Sequence, residues 1–199
     1  MPRQLSPQAR FLLRATLALI PLLAFWWFAL RPPLLEWTRF STDFILNAAP
    51  GASLQTGVRV QPNGAWTLQT PVRVAGVWRN VRVDTEQRLP TQLTVGLPLF
   101  WAILLAAPRT RLIWRAAAIG TLILLMIPPA GLLIYAMHVV QMYVFPKTPA
   151  ILRSAIAVAD YLVSTVAPYM GPVLAGLTLH SGLREAVLGA GPQGTPGKP

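Results

Sequence analysis

Asp160 carries the clearest chemical signal in the chain. It is the single charged residue between Arg153 and Leu183, inside a run long enough to cross a bilayer. A carboxylate at the centre of a membrane helix costs about 2.5–3.5 kcal/mol on insertion scales, so it usually faces a partner or a cavity. Arg153 lies seven residues earlier, two helical turns away on nearly the same face. The two residues form a candidate intramembrane polar or partner contact. The alternative places Asp160 near the outer headgroups, paired or wet, with a topological role only. Tyr161 and Tyr169 read as interface anchors rather than reactive phenols.

The remaining reactive residue types do not assemble into a site. His138 and Gln141 sit one turn apart near the outer end of a third apolar run, and His180 near the inner end of a fourth. The expected topology separates the two histidines by most of a membrane thickness, and a shared metal site would need them within a few ångströms, with further ligands. No metal site and no cofactor are expected. Ser154, Ser164 and Thr165 are the available hydroxyl nucleophiles. A triad of Ser164, His138 and Asp160 is conceivable only in that all three lie on one side of the membrane. The chain has no Cys, which excludes a thiol nucleophile and Cys-ligated zinc or iron–sulfur centres. No phosphate-binding glycine loop, dinucleotide pattern or deaminase signature occurs. No catalytic residues are expected.

These residues are carried by an apolar scaffold. Of 199 residues 54% are hydrophobic and only 12% charged, against roughly 25% charged in soluble domains. The mean hydropathy is +0.51. Lipid therefore surrounds most of the chain. The 17 Lys and Arg outnumber the 6 Asp and Glu. They stand at the ends of apolar runs and along one polar segment, which fits membrane orientation and not a nucleic-acid surface.

The fold class expected is membrane α-helical, with four transmembrane helices and a small extracytoplasmic antiparallel β-segment between the first two. Residues 1–33 form a basic segment and the first span. Its apolar stretch of about 20 residues suits a core of roughly 30 Å. It ends in Phe25-Trp26-Trp27-Phe28 and then Arg31-Pro32-Pro33, an aromatic belt followed by a cationic stop, and no Ala-x-Ala site follows it. Trp26, Trp27 and Arg31 are the expected interface anchors. Residues 89–108, 116–146 and 147–183 are the other spans, the third one kinked at Pro128-Pro129 and the fourth bent at Pro168 and Pro172. Arg3, Arg10 and Arg14 precede the first span, and Arg109, Arg111 and Arg115 crowd residues 109–115. Both segments belong in the cytoplasm by the positive-inside rule, as do both termini. The Gly- and Pro-rich tail within 184–199 is expected to be disordered.

Residues 34–88 lie outside. Residues 34–46 have the spacing of an amphipathic helix, lying in the interface or continuing the first span. From residue 53 the period becomes two: Val58-Arg59-Val60, Val72-Arg73-Val74 and Val81-Arg82-Val83 alternate, and Pro62-Asn63-Gly64 marks a turn. Three or four antiparallel strands follow, with valines facing a core or the membrane surface and arginines facing water or lipid phosphates. Ala155-x-x-x-Ala159 and Gly171-x-x-x-Ala175 permit close helix approach, within the chain more often than between chains. The spans hold too few polar groups for a typical transporter.

The layout of aromatic-ended helix, β-rich outer segment, Val95-Gly96-Leu97-Pro98-Leu99-Phe100-Trp101-Ala102 opening the second span, Arg-rich inner loop and two Pro-containing helices resembles the exosortase H-associated membrane proteins. The resemblance implies an accessory role beside an exosortase, a polytopic sorting enzyme of the bacterial inner membrane. Exosortases act through a Cys with Arg and His, so a chain without Cys is not the enzyme itself. The function expected is that of a non-catalytic accessory protein binding the polytopic sortase or its substrate, with membrane lipids as further partners and no nucleic acid. The alternatives are an enzyme or transporter subunit for a lipid-linked envelope precursor, and an assembly factor for a pilus or other envelope machine.

Overall fold

A computed structural model describes residues 6–51, 56–107, 113–180 and 183–184. Arg3, Arg109, Arg111 and the tail from residue 185 lie outside the described residues, so the expectations placed on them are not addressed structurally. Four helices are long and apolar enough to cross a membrane: Gln8–Ala48, Leu89–Ala106, Ile113–Val144 and Ala150–Leu179.

The first of these is one helix built from three segments: α1 (Pro7–Phe25), a π-turn (Trp26–Leu30) and α2 (Arg31–Ala48). Ser6 caps its start by accepting from Ala9 N–H at 3.2 Å. The helix runs through Arg31-Pro32-Pro33, where the apolar stretch of the first span ends. A proline ring clashes with the carbonyl four residues back and brings no N–H. The π-turn relieves this, because Arg31 N–H reaches back to Trp26 C=O and the turn before the prolines widens. At 41 residues the helix is about 60 Å long, twice a hydrocarbon core. Its second half is therefore the expected amphipathic segment, continuing the first span.

Three antiparallel strands follow, β1 (Gly57–Val60), β2 (Trp66–Val74) and β3 (Val77–Asp84), in the order β1-β2-β3. The turn at Pro62-Asn63-Gly64 is closed by Gln61 N–H on Ala65 C=O and by Asn63 Oδ1, which accepts from Ala65 N–H. Ala75 and Gly76, both at positive φ, make the tight turn between β2 and β3. Val58, Leu68 and Val83 stand opposite one another across the sheet. Leu68 and Val83 are buried, while Arg59, Arg73 and Arg82 point to the exposed side. Val60 departs from the pattern and is exposed.

The sheet packs on α5 (Ile113–Val144) through Leu132, Ala136 and Val140, spaced one turn apart, with Trp66, Leu68, Val72 and Val83 opposite. On its free side β1 is tied to α2, since Asp43 Oδ1 accepts from Val58 N–H at 3.0 Å. The second span divides at Val95 into α3 (Leu89–Thr94) and α4 (Gly96–Ala106). A second cluster of Leu97, Phe100, Leu104 and Leu124 joins α4 to α5. Among lipid tails apolar contact has no hydrophobic driving force, so close fit has to hold this joint. Gly120 supplies it, since a Cβ there would fall 2.0 Å from the fully buried Phe100 ring.

Pro128 and Pro129 both lie within α5 and are buried. Pro129 leaves the Leu125 carbonyl without its helical donor, and Trp37 Nε1–H of α2 fills that place at 3.3 Å. The last span comprises α6 (Ala150–Tyr161), a π-turn (Leu162–Val166) and α7 (Ala167–Leu179). The expected distortion at Pro168 falls on the turn just before it, where Ala167 N–H reaches back to Leu162 C=O.

Candidate functional site

α5 and α6 form an antiparallel hairpin whose turn contains Pro146 and Pro149. The hairpin brings His138 of α5 and Asp160 of α6 together. His138 Nδ1 is 2.7 Å from Asp160 Oδ2, with side chains 23% and 15% exposed. With the carboxylate ionised, Nδ1 carries the hydrogen and Asp160 accepts it. The other carboxylate oxygen, Oδ1, is buried with no hydrogen-bond partner among the described residues.

Asp160 borders a cavity of about 230 Å³ that Glu86, Gln92, Tyr135, Ser164 and Thr165 also line. The lining comes from the connection after β3, from α3, from α5 and from the π-turn of the last span. Tyr135 O–H donates to Asp84 C=O at 3.4 Å, which ties this cavity to the end of β3. Ala136 and Val140, on either side of His138, pack against the sheet. The pair is therefore level with an open three-stranded sheet. Sheet edges carry unmet backbone groups and do not lie in hydrocarbon.

Arg153 does not join Asp160. Its guanidinium donates to the carbonyls of Pro146 and Thr148, the latter at 3.2 Å. These carbonyls belong to the turn just beyond α5, whose C-terminal dipole also attracts a cation. The expected Arg153–Asp160 contact is thus replaced by a His138–Asp160 pair. Sequence reasoning missed this partner because it searched one helix at helical spacing. The signal was the pair of prolines that fixes the hairpin's midpoint.

The catalytic triad weighed from sequence is incomplete. Ser164 Oγ–H donates to the backbone carbonyl of Asp160 at 2.6 Å and lies 3.4 Å from Thr165 Oγ1, so its bonds are made away from His138. A nucleophile needs its base within hydrogen-bond reach. Gln141 is buried with both amide atoms unpartnered among the described residues. His180 is buried beyond α7, where its Nδ1 accepts from Leu183 N–H at 3.0 Å. Among the described residues no group of three His, Asp or Glu is placed to hold a metal.

The three expected anchors divide. Trp27 is exposed, and Arg31 stacks over its ring with Cζ 4.4 Å from the centroid. Trp26 turns inward and is only 5% exposed. The π-turn begins at Trp26, and one extra residue per turn rotates the following face by about 100°.

Near the sheet, one charged group is perturbed. Thr67 Oγ–H donates to Asp84 Oδ1 at 2.6 Å and Arg82 Nε–H at 3.0 Å. These bonds favour the carboxylate and hold its pKa below the ordinary value of 3.8, the Thr67 bond most strongly.

No curated protein and no solved structure matches the chain. The family model described as exosortase H-associated membrane protein matches residues 5–182, and the chain belongs to that family.

Proposed function

We propose that the chain is a non-catalytic accessory subunit of an exosortase-type sorting system and acts by binding the polytopic sortase or the substrate it sorts. The family match over residues 5–182 carries this reading. The shape of the bundle supports it. The most apolar stretch of the last span buries none of its residues within the chain, and that of the first buries very few. Ser154, Ala155 and Val158 form an exposed ridge on α6 with small residues at its centre. Small residues on such a ridge let a partner helix approach closely. Gly171 and Ala175 are already used within the chain, against Leu124 and Ile127 of α5.

In this reading the sheet stands outside the bacterial inner membrane and both termini stay in the cytoplasm. The sheet's outward arginines then face the sorted protein or the headgroups. Copurification with the cognate exosortase in mild detergent tests the binding. Ala155→Trp on the open ridge is expected to reduce recovery of the sortase at least tenfold while the level of the chain is unchanged. Free migration of the two wild-type proteins would refute the proposal.

A second reading, a subunit handling a lipid-linked envelope precursor, draws on the His138–Asp160 pair beside its polar cavity. Under it, Asp160→Asn abolishes turnover at normal protein level and normal stability.

A further inference from the structure

A larger groove, about 730 Å³, opens between the first helix and the tip of the β1–β2 hairpin. Its walls include Trp26, Trp27 and Arg31 of the π-turn region, Trp66 of β2, Arg88 before α3 and Tyr169 of α7. No Asp or Glu lines it. Neither Arg31 nor Arg88 has a carboxylate within ion-pair distance among the described residues. The Arg31 guanidinium makes one hydrogen bond among the described residues, from a terminal nitrogen to Thr91 Oγ1 at 3.2 Å. Its Nε–H and the indole N–H of the buried Trp26 have no acceptor among the described residues.

Buried donors without acceptors are rare in folded chains. Here the two belong to Trp26 and Arg31, which line one groove with Arg88, and neither arginine has a carboxylate partner among the described residues. The missing chemistry is an anion with several oxygen acceptors. The aromatic walls add a second requirement, an apolar body attached to that anion. Arg31 closes the apolar run of the first span and Thr91 opens the second, so their hydrogen bond marks the level at which the spans leave lipid. Trp27 and Tyr169 expose their rings at that level, as aromatic side chains do at the headgroup boundary. Guanidiniums bind phosphate through paired N–H donors.

We propose that this groove holds the phosphate headgroup of an anionic phospholipid, with Arg31 and Arg88 on the phosphate and the aromatic walls along the glycerol and upper chains. The volume is within the range of ligand pockets, roughly 300–1,000 Å³. The proposal concerns the chain alone and does not depend on the sortase reading.

Native mass spectrometry of the full chain in mild detergent tests it, with phosphatidylglycerol and phosphatidylcholine as probes. Phosphatidylglycerol should be retained selectively. Arg88→Gln should weaken that retention roughly fivefold, the usual effect of one basic residue at a lipid surface. Arg31→Gln with Arg88→Gln should abolish the preference. Arg79→Gln, an exposed arginine of β3 away from the groove, should change nothing. Arg88 is exposed, so its variant remains informative where the double variant fails to fold. Equal retention of the two lipids, equal losses for Arg79→Gln and Arg88→Gln, or full displacement by excess inorganic phosphate would each overturn the proposal. The last outcome would make the groove a site for a soluble anion.

Discussion

Replacing Asp160 by Asn tests whether the carboxylate holds the hairpin of α5 and α6 together. Fully exposed ion pairs contribute about 0–1 kcal/mol, and removing one partner from a fully buried pair costs about 3–5 kcal/mol. The side chains of His138 and Asp160 are 23% and 15% exposed, and Asp160 borders a polar cavity of about 230 Å³. Water in that cavity would partly resolvate a lone charge, so either Asp160→Asn or His138→Ala should cost about 2 kcal/mol. The double variant should cost about 2–3 kcal/mol rather than the sum, because once one partner is gone the other has little left to lose. On a chain of this size that is a fall of roughly 4–8 °C in Tm for each single variant. Arg153→Gln should move Tm by less than about 2 °C, since the exposed Arg153 bonds only carbonyls of the turn. Thermal melts of the four proteins in one detergent give the cycle directly. Additive single costs, or an Arg153 variant as damaging as the Asp160 variant, would refute the pairing. An Asp160→Asn protein that melts like the wild type but loses its sorting partner would refute the structural role and restore Asp160 as a contact residue.

Two further substitutions probe the scaffold. Gly120→Ala should destabilise by about 1–3 kcal/mol, since the new methyl meets the buried Phe100 ring, whereas Gly131→Ala meets the flexible end of Leu93 at 2.8 Å and should cost much less. Comparison of their Tm values, with equal falls as the refuting result, checks this. Thr67→Val should raise the Asp84 pKa toward 3.8 by removing the largest of its stabilising bonds. Because the folded pKa is depressed, the sheet gains stability from Asp84 above the unfolded pKa and loses it as pH falls through the folded one. Carboxyl NMR titration of the wild type and Thr67→Val should show that shift, and identical titrations would refute it.

The sequence was most legible where one physical requirement acts on many consecutive residues. Lipid demands long uncharged runs, and four were visible as helices. A sheet with one covered face demands alternation, and the three Val-Arg-Val segments each lie in a strand. Legibility failed where a residue's partner is distant or where backbone geometry departs from the α-helix. Asp160 was matched with Arg153 at helical spacing, but the turn at Pro149 selects His138 on another helix. Arg31-Pro32-Pro33 has the composition of a stop, but the widened turn before it gives the prolines room. The same turn sets Trp26 inward beside an outward Trp27.

Both departures from α-helical geometry share one arrangement. The π-turn at Trp26–Leu30 precedes Pro32 and Pro33, and the one at Leu162–Val166 precedes Pro168. Each borders one of the two polar spaces: Trp26 lines the groove, and Ser164 and Thr165 line the smaller cavity. Gln92 of α3 lines both. A widened turn leaves carbonyls imperfectly shared and separates a helix locally from its neighbours, which is why such turns recur at functional sites. In a bundle with few polar groups, these proline-directed turns set polar space around α3, at the end of the bundle that carries the sheet. In the proposed accessory role, contact with lipid, a polytopic partner and a water-exposed substrate would call for polar surface at that end of the bundle, because charge among lipid tails is costly.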